Sequence, residues 1–181
     1  TAINTAITNW LNGLGGSSAV VLGLLLGGMM AVDMGGPVNK AAYVFGTASL
    51  ASGSSTIMAA VMAGGMVPPL AIAISMLIFK DKFTKEEKQT IPTNIIMGLS
   101  FITEGAIPFA AADPLRTLPP MVLGSGVAGA LSMVFGSSLM APHGGLWVIG
   151  VIENPLGYIV AISVGTLLGA ILFGLLRRND K

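Results

Sequence analysis

Apolar residues run in long blocks along this chain, and the polar residues gather in the breaks between them. Residues 15–32 are about long enough to cross a bilayer once. Gly23 and Gly27 within them make a GxxxG spacing that permits close helix packing. Residues 33–40 then break the pattern with Asp33, Gly35, Gly36, Pro37, Asn39 and Lys40, a turn signal. Residues 41–79 are apolar but too long for one helix. Breaks are expected at residues 52–55 and at Pro68 and Pro69, giving a helix over 41–51 and a broken one over 56–79. Residues 80–88 form the dense charge run, where Thr84 and Glu87 make a capping box that starts a short surface helix. Membrane depth is regained over 93–112, again over 119–136 after Pro119 and Pro120, and over 156–176, the strongest span. Residues 137–154 between the last two are irregular. Before the first block, Trp10, Leu11 and Leu14 read as an interfacial stub.

Composition agrees with a membrane protein: 53% of the 181 residues are hydrophobic and 9% are charged, against about 25% charged in soluble domains. The expected fold class is an all-α polytopic membrane protein, a bundle with broken helices and re-entrant hairpins. Residues 1–181 read as a single membrane transport domain, with a loop at 80–92 and irregular or re-entrant segments at 102–116 and 137–155. The chain has no cysteine and one histidine, which excludes thiolate and histidine-rich metal sites, disulfides and a cysteine nucleophile. A net charge of +1 gives no nucleic-acid footprint. No cofactor is expected. The scattered methionines read as core filling. The N-terminus lacks a signal peptide and an initiator methionine, which suggests a piece of a longer protein.

Charge sets an expected topology. The lysines of 80–88 and the arginines at 177 and 178 both read as cytoplasmic, so an even number of crossings separates them. The spans at 119–136 and 156–176 supply two, which makes 93–112 re-entrant, returning beside Arg116.

The segment 101–116 concentrates the candidate chemistry. Its prolines, Pro108 and Pro114, remove backbone donors that lipid could not replace, so it is expected inside protein or against a watery cavity. An ionisable residue at that depth costs roughly 2.5–3.5 kcal/mol on insertion scales, which makes Glu104 a functional-site candidate. The competing reading pairs Glu104 with Arg116 structurally. A sugar offers uncharged hydroxyls, and a buried carboxylate accepts such bonds strongly; Asp33, Asn39 and His143 offer further polar contacts. For His143 a local turn role stays open, as it does for Glu153 and Asn154, while Asp33 and Lys40 can instead belong to an ordinary loop. Asp113 and Arg116 are read as a pair capping the end of the hairpin. Broken helices in a bundle point to a transporter site.

The residues around Asp33, Gly35, Gly36, Pro37, Asn39, Lys40 and Tyr43, those around Ile102, Thr103, Glu104, Gly105, Pro108, Asp113, Pro114 and Arg116, and the Pro142-His143-Gly144-Gly145 turn together resemble the membrane (IIC) component of the fructose-specific phosphotransferase system of bacteria. The resemblance covers almost the whole chain and the later half of such a component. It implies a multi-pass protein of the bacterial inner membrane and a homodimer whose missing N-terminal half supplies the dimer scaffold. It also implies group translocation, in which a fructose-like sugar is carried inward and phosphorylated by a cytoplasmic phosphoryl-carrier (IIB) domain. Related families bind sugar through the glutamate of an Ile-Thr-Glu motif, here Ile102, Thr103 and Glu104. They also use an upstream histidine; this chain has Asp33, Asn39 and Lys40 there, so the second sugar ligand stays open. With no phosphate-cradling motif, phosphoryl transfer is expected from outside the chain. The other readings are an ion-coupled transporter with Glu104 or Asp33 as coupling residue, and a structural membrane subunit.

Overall fold

The computed structural model describes residues 16–179, so the expected stub at Trp10, Leu11 and Leu14 lies outside the described residues. Helices α1 (Gly16–Val32), α2 (Pro37–Ala51), α3 (Thr56–Ile78), α4 (Lys85–Lys88), α5 (Ile91–Leu99), α6 (Ile107–Ala112), α7 (Pro114–Val134) and α8 (Pro155–Leu176) make up most of it. Two-residue strands, β1 (Ser138–Leu139) and β2 (Ile152–Glu153), pair antiparallel. Helices α3, α7 and α8 are long and apolar enough to cross a membrane.

The centre of the bundle is α3, buried without interruption from Ile57 to Pro69. The break expected at Pro68 and Pro69 does not occur. A proline clashes with the carbonyl four residues back and withholds a donor from it; here those positions are Gly64 and Gly65, whose missing side chains leave room to adjust. Nor does α7 wait for Pro119 and Pro120: it starts at Pro114, in the first turn, where a missing N–H costs nothing. Pro108 likewise stands in the first turn of α6 and opens a helix rather than interrupting one. Helix α2 begins at Pro37, four residues before the expected start.

Small residues set the helix spacing. Gly23 lies against Gly129, Gly27 against Ser125 and Gly28 against Val122, so α1 runs antiparallel to α7. Gly124 meets Gly165 across the interface of α7 with α8, and Gly64 brings α3 onto Gly27. With little hydrophobic gain between helices in lipid, such close backbone contact carries the packing.

One end of the bundle is basic. Lys82 donates to the carbonyls of Gly174 (2.8 Å) and Arg177 (3.2 Å). Arg177 grips Glu87 with distances of 2.5 and 2.7 Å and lays its guanidinium 4.3 Å over the Phe83 ring. The capping box forms as expected, Glu87 N–H on Thr84 Oγ1 and Thr84 N–H on Glu87 Oε2. At this end meet the C-termini of α3 and α8 and the N-terminus of α7. At the opposite end, Leu139 N–H bonds to Ser55 carbonyl.

Candidate sugar site

Three breaks in the helices converge between the two ends. After α1 the chain turns through Met34 (φ 43°) and Gly35 (φ 102°). Between α5 and α6 it turns at Phe101 (φ 62°), followed by a 3-10 turn, Thr103–Ala106. The third break descends from β1 through Gly144 and Gly145, both with positive φ, into the 3-10 helix Gly145–Val151. The second and third are tied where they meet: Trp147 Nε1 donates to Ser100 Oγ at 2.8 Å.

Between these tips lies a cavity of about 520 Å3 lined by Met30, Asn39, Tyr43, Phe101, Thr103, Glu104 and His143, within the range of small-molecule sites. Of the residues singled out from sequence, Asn39, Thr103, Glu104 and His143 are therefore brought together. Asn39 is 7% exposed; its Nδ2 donates to Met30 carbonyl (2.8 Å) and reaches Thr103 Oγ1 (3.5 Å). The amide thus ties the first break to the second. Glu104 is exposed into the cavity mouth. The pairing of Glu104 with Arg116 does not form: Arg116 bonds to Asp113 at 3.0 Å.

Gly35 fits beneath Glu104. Its φ is one that L side chains rarely adopt, and a Cβ there would stand 2.7 Å from Glu104 Oε1. The glycine thus lets the carboxylate lie against the backbone of the first break. Asp33 has another task. Its Oδ2 accepts from Val38 N–H (2.7 Å) and its Oδ1 from Asn39 N–H (2.9 Å), satisfying two free donors at the start of α2. It stands outside the cavity lining and fixes the helix that carries Asn39. Glu153 accepts from Ser138 Oγ (2.9 Å), and Asn154, left-handed at φ 52°, caps α8 by accepting from Gly157 N–H.

His143 makes no hydrogen bond among the described residues; its ring packs on Phe101 at 4.9 Å between centroids. Tyr43 stands 6.2 Å from Phe101 on the other side. One side of the cavity is therefore aromatic, while Asn39, Thr103 and Glu104 supply donors and acceptors. A sugar matches both surfaces, with apolar C–H groups for the rings and hydroxyls for the polar groups.

No family model matches the chain, and no solved structure does. Curated proteins do. The chain is 53% identical over 175 residues to the "PTS system fructose-specific EIIB'BC component" of Xanthomonas campestris, covering 95% of the chain and 30% of that protein. It is 50% identical over 177 residues to the protein of the same description from Escherichia coli, covering 96% and 31%. To the "Fructose permease IIC component" of Bacillus amyloliquefaciens it is 49% identical over 172 residues, covering 95% and 56%. Over almost its whole length the chain is a homologue of fructose-specific IIC components.

Against these relatives the chain spans between about a third and just over half of their length. It is a membrane protein, as its apolar helices require. The segments that carried the resemblance in sequence are the three breaks that line the cavity, although they lie far apart along the chain. Tyr43 and Phe101 were not singled out as site residues. For Tyr43 a signal existed, since it follows Asn39 by four positions, one helical turn along the same face. Phe101 had none, because its exposure to the cavity depends on a left-handed backbone rare in a bulky residue.

Proposed function

We propose that the chain is the sugar-binding part of a phosphotransferase permease. It would take a fructose-like sugar into the cavity at Glu104 and pass it to a phosphoryl-carrier IIB domain. The convergence of Asn39, Thr103, Glu104 and His143 on one cavity supports this reading above all. In the mechanism, Glu104 accepts one or two sugar hydroxyls, and a carboxylate bond of that kind is stronger than a neutral one. The Asn39 Oδ1 accepts beside it, since both of its amide hydrogens are engaged by Met30 carbonyl and Thr103 Oγ1, and Tyr43, Phe101 and His143 take the apolar face. Glu104 also polarises the hydroxyl that attacks phosphorus. The phosphoryl group comes from the partner domain. The names of the relatives, several of which join B and C components in one chain, support that partner. The exposed apolar residues of α8, among them Ile159, Leu167 and Ile171, suit lipid or the further spans of the longer relatives, where a dimer contact would lie.

The decisive measurement is the chemical form of the sugar taken up. Sugar supplied outside cells or vesicles is expected to appear inside as its phosphate, with no direct block by a proton uncoupler. Accumulation of the free sugar driven by a proton or sodium gradient would overturn group translocation.

Residues 93–112 are read as re-entrant in a bacterial inner membrane, with the basic end in the cytoplasm. In support, α5 leaves the charged loop, the chain turns at Phe101, and α6 leads back to Asp113, which shares a cavity with Glu87 and Arg177. Clustering of Lys80, Lys82, Lys85, Lys88, Arg116, Arg177 and Arg178 at that end suits the positive-inside rule. Single cysteines at Lys85 and Asp180 are expected to react with an impermeant label only after the cytoplasmic face is opened. Reaction of either from outside would break this topology.

A further inference from the structure

We propose that a second cavity, at the basic end, binds the phosphate ester of the outgoing sugar phosphate; this rests on the function proposed above. The cavity measures about 300 Å3, and Phe109, Asp113, Arg116, Phe173, Arg177 and Arg178 are among the residues lining it, together with Glu87. Three guanidinium groups there face two carboxylates, an excess of positive charge that favours an anion. The planar donor fork of arginine matches phosphate geometry.

The three arginines are not equivalent. Arg177 is held before any ligand arrives, by Glu87, by its Nε bond to Lys82 carbonyl (3.0 Å) and by the Phe83 ring, and its side chain is 15% exposed. Arg116 is steadied by Asp113 while remaining 34% exposed. That ion pair holds the Asp113 carboxyl below its ordinary value, so Asp113 stays charged and keeps Arg116 in place. Arg178 is exposed and makes no hydrogen bond or close ion pair among the described residues. Helix α7, 21 residues long, points its N-terminus here, and Asp113 at its cap makes no capping bond, so the positive end of the helix adds to the field.

The two cavities share one piece of chain. Glu104 lines the first and Asp113 the second. A 3-10 turn and the six residues of α6, about 9 Å of helix, connect them. A sugar that acquires a phosphate while near Glu104 gains an anionic group suited to the arginines beyond. The other source of the same chemistry is a lipid headgroup.

The test uses the full-length protein in nanodiscs of phosphatidylcholine, titrated calorimetrically with a hexose phosphate, inorganic phosphate and the free hexose. Both phosphates are expected to bind saturably. Arg178→Gln and Arg116→Gln are each expected to weaken them by about fivefold, the scale of one solvent-exposed ion pair, with Arg178→Gln leaving the free hexose unaffected. Glu104→Gln should keep inorganic phosphate binding. Loss of hexose binding in the wild type with phosphate binding intact would count against the proposed function and leave this cavity standing. A parallel set of discs carries phosphatidic acid. If that lipid binds in an Arg178-dependent way while neither soluble phosphate binds, the occupant is a headgroup and the product site is overturned. Phosphate binding indifferent to both arginine variants would overturn the assignment outright.

Discussion

Glu104→Gln is expected to lower sugar affinity by about ten- to a hundredfold in a purified, monodisperse protein. The loss of a hydrogen bond to a charged group costs roughly 1.5–3 kcal/mol, and roughly 1.4 kcal/mol is one decade of affinity. The glutamine keeps the shape above Gly35, so no new clash arises. It also strands no cation, because Arg116 already bonds to Asp113. Folding and membrane insertion should therefore be preserved, and calorimetry or equilibrium dialysis with radiolabelled sugar reads the binding change alone. Unchanged affinity in a well-folded variant would remove Glu104 from the site.

Gly64→Ala is expected to have the largest effect on folding. The added methyl would stand 2.5 Å from Gly27 Cα and 2.8 Å from Gly27 carbonyl oxygen. Both are backbone atoms of a helix that is itself pressed on Ser125 and Gly129, so no flexible side-chain end can yield. Overpacking of this kind costs typically about 1–3 kcal/mol and sometimes more, out of a stability of ~5–15 kcal/mol. A fall in folded yield and in melting temperature should follow. Gly150→Ala is the control, since a Cβ there meets nothing within 4 Å. Equal behaviour of the two variants would mean that α1 and α3 do not pack as described.

The contrast between these positions shows what the sequence made legible. The apolar helices 16–32 and 155–176 follow directly from apolar length, and the capping box at Thr84 and Glu87 is a local motif that local chemistry completes. Polar residues set in apolar surroundings marked Asn39, Thr103, Glu104 and His143, since burial of such groups needs a reason. Proline misled where its neighbourhood mattered more than its presence: Gly64 and Gly65 accommodate Pro68 and Pro69, and a helix continues. The role of Asp33 was also out of reach, because its carboxylate could face a ligand or turn back onto the amides of Val38 and Asn39, and composition does not distinguish them. Least legible were Gly23, Gly27 and Gly64. A GxxxG spacing in a glycine-rich chain carries little information until the partner backbone is known.

The Lys82 ammonium is bonded at once to the last carbonyls of α8, Gly174 and Arg177, while the Phe79 ring rests on Gly174 and Glu87 closes on the Arg177 fork. Mechanically, this is a clasp between α3 and α8. An axial slip of one helix past the other by a single residue is a displacement of about 1.5 Å, enough to pull the amine from both carbonyls. The proposed cytoplasmic ends of the two helices are therefore fastened together through the turn that follows α3. In the function proposed here, a displacement that accompanies sugar passage would fall to the joints that bear no such fastening, the bends at Gly35, Phe101 and Gly144.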